Sequence, residues 1–125
     1  MSGALAFHAG LAAEHSVADL YRDRGCHLLA ERWRCAHGEI DLIFRNPKTG
    51  GLIFTEVKKS RSIAAAAVRV TLAQIRRIHD AARLFVADQP LGQLTEMRFD
   101  AALVDMTGVI EIVENAFMDR GRGIE

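Results

Sequence analysis

Two short runs carry acids where the strands of a buried sheet normally carry apolar residues, and they constrain the fold most tightly. Gly38-Glu39-Ile40-Asp41-Leu42-Ile43 and Phe54-Thr55-Glu56-Val57-Lys58 both alternate as β-strands do. The hexamer Asn46-Pro47-Lys48-Thr49-Gly50-Gly51 between them is rich in turn residues, so a hairpin is the simplest connection. Side chains alternate between the faces of a strand. Ile40, Leu42 and Phe44 are therefore expected on one face, and Glu39, Asp41 and Ile43 on the other. On the second strand, Ile53, Thr55 and Val57 oppose Phe54, Glu56 and Lys58. Matching the apolar sets fixes the register, and pairing Arg45 with Leu52 achieves it. Asp41 then lies opposite Glu56, and Glu39 opposite Lys58.

Two carboxylates side by side across a strand pair repel. A divalent cation between them reverses the sign, because hard cations prefer clustered carboxylate oxygens. Asp41 and Glu56 are thus candidate ligands of Mg²⁺ or Mn²⁺, with the backbone carbonyl of Val57 placed to complete the set. Such a cation lowers the pKa of a bound water and neutralises a phosphate oxygen. Lys58, two residues along on the same face, would orient that water or stabilise the charge of a pentacovalent phosphorus. The implied substrate is a phosphodiester. The alternative is a salt-bridged hairpin face, with Glu39–Lys58 and Asp41–Arg45 as surface pairs of little energetic consequence. Spacing alone leaves both open.

The chain has 125 residues, 50% hydrophobic and 26% charged, which fits one globular domain over residues 1–125 and no disordered or fibrous class. No apolar run is long enough to span a membrane. The N-terminus lacks a basic region before its apolar stretch, so no signal peptide is expected and the default compartment is the cytoplasm. Cys26 and Cys35 then read as reduced thiols. With His27 and His37 they offer four soft ligands, but the spacing fits no common zinc template. The net charge is zero and unevenly spread. Residues 58–83 carry seven basic side chains against Asp80 alone, whereas residues 84–125 carry three basic and eight acidic. A cationic block directly after the acidic hairpin suits a polyanion such as DNA; a solvated helix face is the plainer explanation.

Residues 3–24 are expected to form a helix ending at Gly25, with Leu11, Glu14, Ala18 and Tyr21 on one stripe. Glu14 on that stripe either reaches water at its edge or points into a polar site as a third carboxylate. Residues 26–35 read as a first strand. Residues 63–70 are Ala-rich and ambiguous between helix and loop. Thr71-Leu72-Ala73-Gln74 matches a capping box, so a helix begins there. Its stripe is Leu72, Ile75, His79, Ala82 and Phe85/Val86, and His79 is expected as a core residue. Residues 97–105 and 109–113 read as two more strands. Asp100, in an otherwise apolar strand, is expected in a structural role. Asn115-Ala116-Phe117 is expected to pack back on the core, and residues 118–125 to form a flexible tail. The order of helix, three strands, helix, two strands permits a parallel crossover. The fold class is α/β, a central mixed sheet of about five strands flanked by helices.

Asp41, fourteen intervening residues, then Glu56-Val57-Lys58, after a helical Glu14, resembles the PD-(D/E)XK nuclease signature of restriction endonucleases and archaeal-type Holliday junction resolvases. More closely, Gly38-Glu39-Ile40-Asp41-Leu42-Ile43, Phe54-Thr55-Glu56-Val57-Lys58, Arg98-Phe99-Asp100 and Asn115-Ala116-Phe117 resemble the YraN-type family of small bacterial proteins. The resemblance implies a restriction-endonuclease-like fold and a nuclease-like activity. It makes Asp41 and Glu56 metal ligands, Lys58 the catalytic lysine and Glu14 the helical acid, and adds Glu39 as a site residue. It also implies a homodimer, as in junction-cleaving enzymes. Gln74 stands where such proteins often carry a lysine, and Lys59-Ser60-Arg61 replaces the usual small residue and arginine. Lys59, Arg61, Gln74, Arg76 and Arg77 are the candidate nucleic-acid contacts. Two other functions compete with metal-dependent cleavage of DNA, branched DNA included: a nucleic-acid-binding module without turnover, and a protein-interaction domain that uses the acidic C-terminal third.

Overall fold

The structure, a computed structural model, describes residues 3–116, with side chains described from Gly10 onward. Phe117 and the tail 118–125 lie outside the described residues, whereas Asn115 and Ala116 are exposed rather than packed on the core, Asn115 being tied there by its backbone N–H to Asp100. Helix α1 (Gly3–Asp23) is followed by strands β1 (His27–Cys35), β2 (Gly38–Arg45) and β3 (Leu52–Lys59). Helices α2 (Ile63–Val68) and α3 (Leu72–Val86) lead to β4 (Met97–Val104) and β5 (Ile110–Val113). The five strands form one mixed sheet in chain order. β1, β2 and β3 are antiparallel, β3 and β4 are parallel, and β5 returns antiparallel on β4. The parallel step needs a crossover, and α2 and α3 supply it.

Arg45 pairs with Leu52, as the apolar matching requires, and the β2–β3 ladder runs up to Leu42–Thr55. That register sends the two apolar sets to opposite faces. Leu42, Phe44 and Ile53 pack beneath Ala13, Val17, Ala18 and Tyr21 of α1, with Tyr21 stacked on Phe44 at 4.3 Å. Ile43 and Phe54 pack on the other face with Phe99 of β4 and with Ile78, Ala82 and Val86 of α3. Each face buries well over a handful of large apolar side chains, which is the main source of cohesion in a domain this size.

Ile40 departs from this pattern. It joins Ile43 and the α3 cluster rather than Leu42 and Phe44, so alternation breaks at Asp41. The neighbouring strand is distorted at the same level. Arg32, between the partners of Ile40 and Leu42, has φ 45°, and the β1–β2 register slips between Leu28 and Ala30. Bulges of this kind bend an edge strand and re-aim side chains.

Residues 63–68 resolve as a helix, because the Ser62 hydroxyl accepts the Ala65 N–H at its N-terminus. Thr71 and Gln74 form the expected capping box. The α3 stripe is shifted from the expected one: Leu72 is 48% exposed, and Ile78 and Ala81 join His79, Ala82 and Val86 inside. Leu72 sits in the first turn, before the helix reaches the sheet. His79 is buried edge-on to Phe99 at 4.3 Å. Asp100 is structural: it accepts from the Tyr21 hydroxyl, twice from Arg98, and from the Asn115 N–H.

Candidate metal and nucleic-acid site

The β2–β3 ladder ends at Leu42–Thr55, and beyond it the strands are joined differently. The Val57 N–H donates to Asp41 Oδ2 at 2.7 Å, so a side chain takes the place of a backbone acceptor. This draws the Asp41 carboxyl across to β3, beside Glu56. The Glu56 side chain is only 12% exposed, and its Oε1 is buried without a hydrogen-bond partner. Lys58 Nζ lies 3.8 Å from Glu56 Oε2 and is 14% exposed. Neither surface pair of the plainer reading exists. Lys58 faces Glu56 rather than Glu39; Glu39 is bridged to Arg34 of β1 at 3.1 Å; and Arg45 donates to Gly50 O and Gln89. Glu39 and Lys58 never come opposite because the ladder stops before them.

Glu14 comes from the other side. It projects from α1 toward the pair and is held by Arg32 at 3.1 Å, with 14% of its side chain exposed. The break in β1 at Arg32 is what allows this reach from an edge strand to the helix. Glu14 thus lines the cleft that Asp41 and Glu56 also line, rather than reaching open water.

Burial raises all three carboxyls, since it penalises the charged form. Glu56 is pushed up to about 8, by burial first and then by the Asp41 charge. Glu14 is pushed up to about 7, by burial and then by Asp41, against the opposing pull of Arg32. Asp41 is also raised by burial, while its bonds on the β3 side and the charge of Lys58 pull it down.

A cleft of about 500 Å³ opens onto the pair from the α1 side. Glu14, Asp41, Glu56, Lys58, Lys59, Arg61 and Arg69 all line it. A smaller cleft of about 180 Å³ reaches the same two carboxylates from the α3 side, between His37, Glu39, Gln74 and Arg77. Asp41 and Glu56 are the shared wall, a direct result of the broken alternation. Among the expected nucleic-acid contacts, Lys59 and Arg61 line the large cleft, and Gln74 and Arg77 the small one. Gln74 Oε1 is occupied by the Thr71 N–H. Arg76 is exposed and lines neither cleft. Arg76 lies about 100° around the helix axis from Arg77, which explains the split, since adjacent helical residues do not share a face.

Residues 13–104 match the model of Uncharacterised protein family UPF0102. The chain belongs to that family. This is the YraN-type family that the hairpin motifs resemble. A UPF0102 protein of Cereibacter sphaeroides strain KD131 is 53% identical over 117 residues, covering 94% of this chain and 98% of the relative. A UPF0102 protein of Ruegeria pomeroyi is 55% identical over 109 residues, covering 87% of each. A UPF0102 protein of Dinoroseobacter shibae is 43% identical over 116 residues, covering 93% of this chain and 85% of the relative.

In this UPF0102 chain, Asp41 and Glu56 fit a divalent cation. Both are hard oxygen donors, and the unpartnered buried Oε1 of Glu56 is a polar atom that needs a partner. Among the described residues no group of three or more His, Cys, Asp and Glu side chains forms a metal cluster. A cation here would therefore complete its shell with backbone, water or substrate oxygens, which is how Mg²⁺ is commonly held. Two site residues escaped the sequence reading. Arg69 was counted in the basic block, but it reaches the cleft only because α2 folds back; its guanidinium donates to Lys59 O at 2.6 Å. Arg32 gave no signal at all, because its role depends on a backbone distortion.

Proposed function

We propose that this protein is a metal-dependent, nuclease-like protein that grips DNA in the large cleft and hydrolyses a phosphodiester at the Asp41–Glu56 pair. The observation that carries the reading is the buried, unpartnered Glu56 Oε1 beside a second carboxylate, in a cleft that Lys58, Lys59, Arg61 and Arg69 also line. A buried pair of acids is unfavourable for folding alone, and a phosphate-binding cation is the partner that the basic rim anticipates.

Asp41 and Glu56 would hold Mg²⁺ or Mn²⁺, which when bound supplies Lewis acidity and a water of lowered pKa. Lys58 places an ammonium next to the pair, where negative charge develops on a phosphorus under attack. Glu14, raised to about 7, exchanges a proton near neutral pH at its carboxyl oxygen, which suits general acid–base work. Lys59, Arg61 and Arg69 neutralise flanking phosphates. A cytoplasmic setting, consistent with the free Cys26 and Cys35, and a homodimer belong to the same proposal. No helix among the described residues is long and apolar enough to cross a membrane.

A second reading keeps the grip and drops the turnover, and the small number of acidic ligands favours it. Cleavage of branched and linear DNA with Mg²⁺ or Mn²⁺ separates the two. Asp41→Ala and Glu56→Ala should each lower cleavage by at least about a hundredfold with the fold retained. Cleavage in both variants unchanged from that of the unaltered protein contradicts the proposal; salt-dependent binding with no cleavage by the unaltered protein selects the second reading.

A further inference from the structure

Among the residues that line the large cleft, Met106 is the large, exposed apolar one. It lines the cleft together with Lys59, Arg61 and Arg69, and is 67% exposed. It sits in the turn between β4 and β5, and that turn is tightly built. Asp105 Oδ1 accepts from the Thr107 N–H at 2.8 Å, the Thr107 hydroxyl at 2.7 Å and the Val109 N–H at 3.0 Å. The Asp105 N–H donates to Val109 O, and the Gly108 N–H to Asp105 O. Gly108 has φ +92°, a conformation glycine adopts at no steric cost.

Every residue of the turn except Met106 takes part in this network. Turn positions normally carry polar residues, and an exposed methionine leaves its apolar surface in water. Here the hydrogen-bonded turn sets that residue at the cleft that Lys59, Arg61 and Arg69 also line. An unbranched, polarisable thioether packs well against a flat ring. Apolar side chains at basic nucleic-acid surfaces act as wedges between base steps, and they gain most where a step is already unstacked.

We propose that Met106 is a specificity-determining wedge: it packs against a nucleobase exposed beside the phosphate held in the large cleft. The preferred ligand is then DNA with an unstacked step, such as a bulge or branch point, over continuous duplex. A continuous duplex hides its base faces and offers Met106 only the cost of unstacking. The inference rests on the proposed reading of the cleft as a DNA site. It goes beyond that reading by naming a residue that selects unstacked over continuous DNA and the contact by which it does so.

The test uses the full chain carrying Asp41→Asn, so that substrate stays intact. Binding is measured to a linear duplex and to the same duplex with an unpaired bulge flanked by 2-aminopurine. The Asp41→Asn protein should prefer the bulged DNA by about tenfold and change the 2-aminopurine fluorescence. Adding Met106→Ala should bring the ratio close to one and remove the fluorescence change; adding Met106→Leu should keep most of both. Leu72→Ala, an exposed apolar position away from the cleft, should leave the ratio intact. An unchanged ratio with Met106→Ala overturns the wedge while leaving the DNA reading standing. Failure to bind either DNA overturns the DNA reading, and the wedge with it.

Discussion

Asp100 is fully buried and accepts hydrogen bonds from Tyr21 on α1, from Arg98 on its own strand and from the Asn115 backbone beyond β5. Three parts of the chain meet on one carboxylate, and its oxygens are all used. Asp100→Ala should cost about 3 to 5 kcal/mol in urea unfolding, because it leaves the Arg98 charge and the Tyr21 hydroxyl without their acceptor. Tyr21→Phe removes one bond to a charged group and should cost about 1.5 to 3 kcal/mol. A smaller loss for Asp100→Ala than for Tyr21→Phe would refute this account of the cluster. Glu56 is the opposite case: a buried carboxylate with an oxygen left over. The contrast separates a carboxylate whose oxygens are all used within the fold from one that keeps an oxygen for a ligand, as the proposed metal site requires. Both were visible as acids in apolar strands. Asp41 and Glu56 could be paired from the sequence because strand alternation is a local rule, and one matched pair, Arg45–Leu52, extends it along both strands. Arg32 and Arg69 could not, because their positions depend on a bulge and on a helix folding back.

At the scale of elements, α3 announces itself through Thr71 and Gln74, whose reciprocal bonds satisfy two N–H groups at the helix start. Thr71→Ala should destabilise the protein by about 1 kcal/mol, read as a shift in the urea midpoint with no change in slope. An unaltered midpoint would mean that the cap contributes nothing. The parallel pairing of β3 with β4 was also legible, since a helix between two strands permits the crossover. Helix α2 was not. Its run of alanines favours a helix but fits a loop as well, and Ser62 alone marks its start. The position of Ile40 was misjudged for a related reason. Strict alternation assumes a regular strand, and the distortion at Arg32 and Asp41 breaks it where the site is formed. That break lets one pair of carboxylates face clefts on both sides of the sheet. Local rules fail at this point because the backbone at Arg32 is distorted and the Asp41 carboxyl replaces a backbone acceptor of the ladder.

For the whole molecule, the buried acids tie stability to pH. Glu14 and Glu56 are raised from 4.5 to about 7 and about 8, so the native state holds protons that the unfolded chain releases. Their contribution is fully present below about pH 4.5 and is lost as pH rises through about 7 to 8. Glu56→Gln removes one of these charges and should stabilise the metal-free protein by on the order of 2 kcal/mol at the alkaline end. A cation changes the balance, because it binds the ionised pair and favours the native state by mass action. The most direct measurement is therefore thermal unfolding near pH 8, with and without a large excess of Mn²⁺, for the unaltered protein, Asp41→Asn and Glu56→Gln. A cation between Asp41 and Glu56 predicts a midpoint several degrees higher with Mn²⁺ for the unaltered protein alone. An equal rise in all three proteins, or none in the unaltered one, would contradict a metal site at this pair.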